Sequence, residues 1–308
     1  MIQKELNIPS SIESFAFADG TGSTLKLFLK RDDLIHPVVS GNKWRKLKLN
    51  LLNAKQQKFT KVLTYGGAYS NHLVATAYAA HKAGLKSIGI VRGLDADLEN
   101  HSLKFVRECG MEVKRISREE YRFKNEPGFL QELRDEFGPH YRIPEGGANF
   151  LGVEGCMEII TESETAFKAI DFICTSIGTG TTVAGMLAAN SMNKPILGFT
   201  PFKKGDFLRG EVSDLMYHTF LDEEFVDEQM ENLHLVTEYH FGGFGKVKPE
   251  LKEFVAWLKE STGVQFDLVY NGKMMFGLYQ MIKSGKFKDG DSVIILHCGG
   301  VQGNVGFD

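Results

Sequence analysis

Short apolar runs alternate with helix-patterned segments along nearly the whole chain, and glycine-rich turns follow several of the runs. The strand-like runs are Leu25 to Leu29, Lys61 to Tyr65, Ser87 to Val91, Met111 to Ile116, His140 to Ile143, Asp171 to Thr175, Pro195 to Thr200, His234 to Tyr239, Gln265 to Tyr270 and Ser292 to Cys298. Helical patterns lie between them: Trp44 to Leu52, Leu73 to Ala83 stopped by Gly84, Asp97 to Cys109 closed by Gly110, Phe129 to Phe137, Leu151 to Ser163, and Pro249 to Ser261 with proline at its first position. Residues 1–24, broken by Pro9 and Gly20-Thr21-Gly22-Ser23, read as irregular. This order predicts an α/β fold of mostly parallel twisted sheets covered by helices on both faces. Such sheets place ligands beyond the carboxyl ends of their strands. Glycine clusters here follow Tyr65, Ile143, Thr175 and Cys298.

Composition narrows the function classes. With 308 residues, 43% hydrophobic and 24% charged, the chain can build one large domain or two linked ones. A net charge of -3 gives no general attraction to nucleic acid. No apolar run approaches the roughly 20 residues that span a bilayer, and the first residues lack the apolar core of a signal peptide, so a cytoplasmic protein is expected. Cys109, Cys156, Cys174 and Cys298 are far apart and match neither a disulfide framework nor zinc spacing, so no metal is expected.

Candidate chemistry gathers at the turns. Ser40-Gly41-Asn42-Lys43 opens directly into a helical pattern. A lysine at a helix start meets the partial positive charge there, which lowers its pKa and suits an amine that attacks carbonyls. The alternative is a solvated lysine among Arg45, Lys46 and Lys48, a basic run that reads as a solvated helix face or an anion site. Gly178-Thr179-Gly180-Thr181-Thr182, after the strand ending at Thr175, is either a phosphate cradle of convergent NH and hydroxyl groups or an ordinary strand-to-helix turn. It is neither a Walker loop nor a dinucleotide fingerprint. Ser70-Asn71-His72 opens another helix, where free NH groups suit a carboxylate, or where Ser70 or Asn71 simply caps the helix. Cys298 at the end of the last strand, and Tyr270 beyond another, read locally as core.

Taken in order, Gly41-Asn42-Lys43 with Arg45-Lys46-Leu47, Ser70-Asn71-His72, Pro144-Glu145-Gly146-Gly147-Ala148-Asn149, Gly178 to Thr182, Tyr270-Asn271-Gly272-Lys273 and Cys298-Gly299-Gly300 resemble the D-cysteine desulfhydrase and 1-aminocyclopropane-1-carboxylate (ACC) deaminase family. The resemblance runs from about residue 29 to residue 300 and implies a two-domain, tryptophan synthase β-like fold (fold type II) that uses pyridoxal 5'-phosphate. Residues 1–39 with 156–308 would form the large domain, residues 40–155 the small one, and a homodimer is implied. By the resemblance, Lys43 would hold the cofactor covalently and later carry protons, and Asn71 would bond its phenolic oxygen. Gly178, Thr179, Gly180, Thr181 and Thr182 would hold its phosphate, Tyr270 would lie against its ring, and Cys298 would face the ring nitrogen. Ser70, Asn71 and His72 would take the substrate carboxylate. A thiol at the ring nitrogen makes a weaker electron sink than a carboxylate does, which favours α,β-elimination.

Two positions depart from the family pattern. ACC deaminases carry glutamate directly after the active-site tyrosine, where this chain has Asn271. A second tyrosine is expected in a Gly-x-Gly turn, where this chain has Gly243-Phe244-Gly245. The expected reaction is therefore α,β-elimination on D-cysteine or a related small D-amino acid, with ACC deamination second. A pyridoxal-phosphate binder with little catalysis is the third reading.

Overall fold

The computed structural model describes residues 2–307. Its strands are β1 (Ile12–Phe15), β2 (Lys26–Lys30), β3 (Lys61–Gly67), β4 (Lys86–Arg92), β5 (Met111–Ile116), β6 (Tyr141–Arg142), β7 (Phe172–Ser176), β8 (Ile196–Phe199), β9 (Leu233–Val236) and β10 (Ser292–Leu296). Its helices are α1 (Asn42–Gln56), α2 (Asn71–Lys82), α3 (His101–Glu108), α4 (Pro127–Phe137), α5 (Phe150–Thr161), α6 (Glu164–Lys168), α7 (Thr181–Ala188), α8 (Leu208–Phe220), α9 (Glu223–Met230), α10 (Pro249–Thr262) and α11 (Asn271–Lys283).

Two sheets result. One has the order β1-β2-β10-β7-β8-β9, parallel except for β1, which runs antiparallel to β2 at the edge. The other, β5-β4-β3-β6, is parallel throughout. Both are covered on two faces, because alternate residues of a strand feed opposite cores. In the larger sheet Ile173 and Ile294 pack with Val153, Val183 and Met216, while their neighbours Cys174 and Ile295 pack with Val255, Met274 and Leu278. Each such aliphatic side chain contributes about 1.5–3 kcal/mol of burial. In the smaller sheet Val62 joins the core of α1 and α2, and Leu63 faces Leu133 and Phe137 of α4.

Four local expectations are corrected. Residues 12–15, expected to be irregular, form the edge strand β1. The helix expected from Asp97 starts at His101, because Asn100 caps it by accepting from Ser102 N and Leu103 N. No strand forms over residues 265–270: Asp267 Oδ1 accepts from Val269 N (2.9 Å) and Tyr270 N (2.6 Å), diverting donors that a sheet ladder needs. Finally, the basic run of α1 is not a solvated face, since Arg45 and Lys46 are buried.

Arg45 anchors a buried ionic cluster. Its guanidinium forks onto Asp32 (2.7 and 2.9 Å) and reaches both oxygens of Glu162 (2.6 and 3.0 Å). Lys30 Nζ donates to the same Glu162 (2.7 Å), and Ser10 Oγ donates to Asp32 (2.6 Å). Burial pushes the Glu162 carboxyl up, but Arg45 and Lys30 outweigh it and hold its pKa at about 2. The cluster ties β2, α1 and the end of α5 into one frame behind Lys43.

Candidate active site

A cavity of about 510 Å³ opens beyond the carboxyl ends of β3, β4, β7 and β10. It gathers every site residue expected from the sequence except Thr181, which sits one position inside it at the start of α7.

Lys43 stands in the first turn of α1. The helix begins there because Gly41, at φ 63°, lets the chain turn against the last strand's exit: a Cβ on Gly41 would lie 1.8 Å from the Cys298 carbonyl oxygen. Lys43 Nζ donates to Asn42 Oδ1 (2.7 Å), and Asn42 Nδ2 donates to Thr182 Oγ1 (2.9 Å), so Asn42 links the amine to the glycine-threonine loop. The Lys43 pKa is lowered to about 8, first by burial and then by the neighbouring Lys46 ammonium. The lowering expected from the sequence is present, yet its main cause is burial rather than the helix end.

Ser70 caps α2, its Oγ accepting from Leu73 N (3.3 Å), which leaves the hydroxyl proton free to donate. Asn71 Nδ2 donates one proton to Gly300 O (3.3 Å), while its Oδ1 is buried without a partner among the described residues. His72 is fixed by Thr64 Oγ1 (2.8 Å), and its Nδ1 is likewise unpartnered. Burial, then the charges of Lys43 and Lys46, push His72 well below its ordinary pKa, so it is neutral.

On the opposite wall, Gly180 in the left-handed region precedes α7, and the Thr179 and Thr181 hydroxyls meet at 3.0 Å. Tyr270 presses on this loop: a Cβ on Gly178 would lie 3.2 Å from its ring. Burial and the charge of Asp267 push its phenol up, so it keeps its proton. Burial also raises the Cys298 thiol, opposed by the Thr175 hydroxyl 3.7 Å from Sγ. Phe244 is 44% exposed, stacked on Phe202 (5.4 Å) and edge-on to Tyr270 (5.8 Å). Its loop is fastened by buried Lys273, whose Nζ donates to His240 O (3.0 Å) and Gly243 O (2.9 Å).

Asn271 also lines the cavity, and its amide is taken up by neighbouring protein groups. Its Nδ2 donates to Asp267 Oδ2 and to Gly299 O (2.9 Å), and its Oδ1 accepts from Cys298 N (3.2 Å). The residue thus holds the terminal turn that Gly41 packs against.

Residues missed in the sequence reading complete the cavity. Lys46 lines it, buried, with no carboxylate partner among the described residues. Asp267 caps α11 by accepting from three consecutive backbone NH groups. Its spacing ahead of the helix is the signal that could have found it. Arg92, at the end of β4, and Glu145 also line the cavity.

These residues fit pyridoxal phosphate. A buried lysine without a counter-charge needs an anion, the glycine-threonine loop lining the same cavity offers NH and hydroxyl donors, and Lys43, its pKa lowered to about 8, is linked to that loop through Asn42. The unpartnered Asn71 Oδ1 and His72 Nδ1 belong to residues that line this cavity too.

Comparison with known proteins agrees. Residues 9–299 match the family described as pyridoxal-phosphate dependent enzyme. A Pyrococcus horikoshii protein, whose name proposes 1-aminocyclopropane-1-carboxylate deaminase activity, is 30% identical over 90% of this chain and 85% of its own. A mitochondrial Arabidopsis thaliana protein named as a bifunctional D-cysteine desulfhydrase/1-aminocyclopropane-1-carboxylate deaminase is 31% identical, over 92% of this chain and 74% of its own. The crystal structure of an ACC deaminase homologue superposes with a TM-score of 0.81 at 26% identity, covering 97% of this chain and 91% of that one.

Proposed function

The chain belongs to the pyridoxal-phosphate dependent enzymes, and within that family we propose that it catalyses α,β-elimination on a small amino acid, D-cysteine or a related D-amino acid, releasing a 2-oxo acid, ammonia and sulfide. The observation that carries this reading is Cys298: a buried thiol, held neutral, lines the cavity with Lys43. Pyridoxal phosphate, when bound, supplies an electron sink for the substrate Cα, and a neutral partner at its ring nitrogen keeps that sink weak. A weak sink favours prompt loss of a β-substituent.

In this assignment Lys43 holds the cofactor and, once released, moves the Cα proton. Gly178, Thr179, Gly180, Thr181 and Thr182 bind the phosphate, with Lys46 as its counter-charge. Asn71 takes the phenolic oxygen, Tyr270 covers the ring, and Ser70 with the NH groups of Asn71 and His72 binds the substrate carboxylate. Residues 40–155 form the small domain and residues 1–39 with 156–308 the large one, with α5 spanning the boundary. Among the described residues all four cysteines are free, in keeping with a reducing cytoplasm. No described helix is long and apolar enough to cross a membrane. We assign a homodimer from the family resemblance.

The second reading, ACC deamination, is supported by the two activities in the Arabidopsis relative's name. Against it stand Phe244, without the hydroxyl, and Asn271, whose amide is committed elsewhere. The test is 2-oxo acid release by the pyridoxal-phosphate-loaded protein from D-cysteine, L-cysteine, D-serine and ACC. Release from D-cysteine with equimolar sulfide is expected; release from ACC alone would reverse the order of the two readings.

A further inference from the structure

We infer that Phe202 and Phe244 form a pocket for the substrate's β-substituent, so that the enzyme takes cysteine thioethers bearing a large apolar group on sulfur, such as benzyl, ahead of those bearing a small one. This rests on the elimination reading above and names the leaving groups it favours. In the large sheet the strands run in the order β10-β7-β8-β9. The exits of β10 and β7 carry Cys298 and the glycine-threonine loop, and the exits of the next two strands lead to the turns that carry Phe202 and Phe244. Both phenylalanines line the same cavity. The row of rings is continuous. Tyr270 meets Phe244 edge-on at 5.8 Å, Phe244 stacks on Phe202 at 5.4 Å, and Phe202 meets Phe207 at 5.7 Å, where Phe207, 54% exposed, reaches solvent.

The fold fixes Phe244 at this mouth at an energetic cost. Lys273 is buried, and its ammonium holds the carbonyls of His240 and Gly243 in the turn that carries the ring. Burying a cation against neutral carbonyls is unfavourable in itself. Phe241, in the same turn, stands at φ 54°, a conformation that bulky side chains rarely adopt. Backbone strain of this kind persists where the surrounding structure over-determines it, and it clusters at ligand sites. Phe202 is fixed separately, its NH donating to Thr200 Oγ1 (3.2 Å), and the two turns meet where a Cβ on Gly243 would lie 3.9 Å from Lys203 N. The wall so built has no polar side-chain atom, because Phe244 stands in its Gly-x-Gly turn without a hydroxyl. In the elimination reading Tyr270 covers the cofactor ring and the start of α2 takes the carboxylate, which leaves this wall for the remaining branch of the substrate. An aromatic group on sulfur would stack or meet these rings edge-on and lose its contact with water. In the reaction the Cα–H and Cβ–S bonds break, the Cβ–S electron pair leaves with sulfur, and a proton makes the thiol. One water added to the remaining three-carbon fragment then gives the 2-oxo acid and ammonium.

The test measures kcat/KM of the loaded enzyme for S-benzylcysteine and S-methylcysteine, in both enantiomers, by release of 2-oxo acid and thiol. The benzyl-to-methyl ratio is expected to be about 10 to 100 in the parent and to fall at least about tenfold in Phe202→Ala and in Phe244→Ala. Phe202→Leu keeps an apolar side chain in the fold and is expected to lower the ratio about 2- to 10-fold. A parent ratio of one or less, or a ratio that both Phe202 variants leave unchanged, overturns the proposal. If no thioether and no free cysteine releases 2-oxo acid, the elimination reading fails, and titration of the bound cofactor's absorbance with the same two thioethers decides the pocket separately. A Kd at least about tenfold tighter for S-benzylcysteine, with that preference lost in Phe202→Ala, supports the pocket, and equal Kd values reject it.

Discussion

The lowered pKa of Lys43 makes a quantitative demand on how the protein captures its cofactor. Only the neutral amine attacks a carbonyl. At pH 7 an amine of pKa about 8 is about 9% neutral, whereas one at the ordinary 10.5 is about 0.03% neutral, a difference of about 300-fold. The assay is stopped-flow absorbance of cofactor-free protein mixed with pyridoxal, whose missing phosphate removes the contribution of Lys46 and the glycine-threonine loop to binding. The rate of covalent capture is expected to rise through a midpoint near pH 8 and to level off by about pH 9. Lys43→Ala should form no adduct at the site, and Lys46→Met should move the midpoint upward, since the Lys46 charge is the second cause of the lowering. Stability should follow the same group. The unfolded chain holds more protons than the folded one between pH 8 and 10.5, so the cofactor-free protein should gain up to about 3 kcal/mol as pH rises through that window. A capture midpoint near 10.5 would refute the argument, because it would mean that solvent reaches the amine freely.

Gly41→Ala drives a Cβ into the Cys298 carbonyl at a positive φ, and a loss of about 2–4 kcal/mol is expected in denaturant unfolding, together with weaker cofactor retention. Glu162→Gln leaves Arg45 short of a charge and should cost about 2–3 kcal/mol at neutral pH. Because the Glu162 pKa is depressed to about 2, that difference from the parent is present above about pH 4.5 and should vanish as pH falls toward 2, which a series of acid melts would show. Asn271→Glu places a carboxylate against Asp267 and the Gly299 carbonyl. It should destabilise the terminal turn by about 2–4 kcal/mol without creating ACC ring opening, measured by melting temperature and by 2-oxo acid release from ACC.

What the chain carries locally was legible without coordinates. Short continuous apolar runs, helix stops at Gly84 and Gly110, and glycine after the strands depend on residues within one turn of each other, and they yield parallel sheets with ligand groups at the strand ends. The ordered motifs around Lys43, Ser70, Gly178, Tyr270 and Cys298 were readable for the same reason. Only the tertiary structure could decide matters that turn on distant partners. Arg45 and Lys46 read as solvated because Glu162, which pairs with Arg45, lies 117 residues away and because the cavity over Lys46 is built from several elements. Residues 265–270 are the exception, since their deciding partner is local: Asp267 takes the NH groups of Val269 and Tyr270, a turn signal that the strand-like apolar neighbours masked. Asn271 stood out in the sequence only as a departure from the family's glutamate, and the fold is what sets its amide between Asp267, Cys298 and Gly299. The lysine's reactivity is likewise a property of the assembled cavity. Sequence placed Lys43 at a helix start, but desolvation, the larger cause of its lowered pKa, exists only once two sheets and the terminal turn close around the amine.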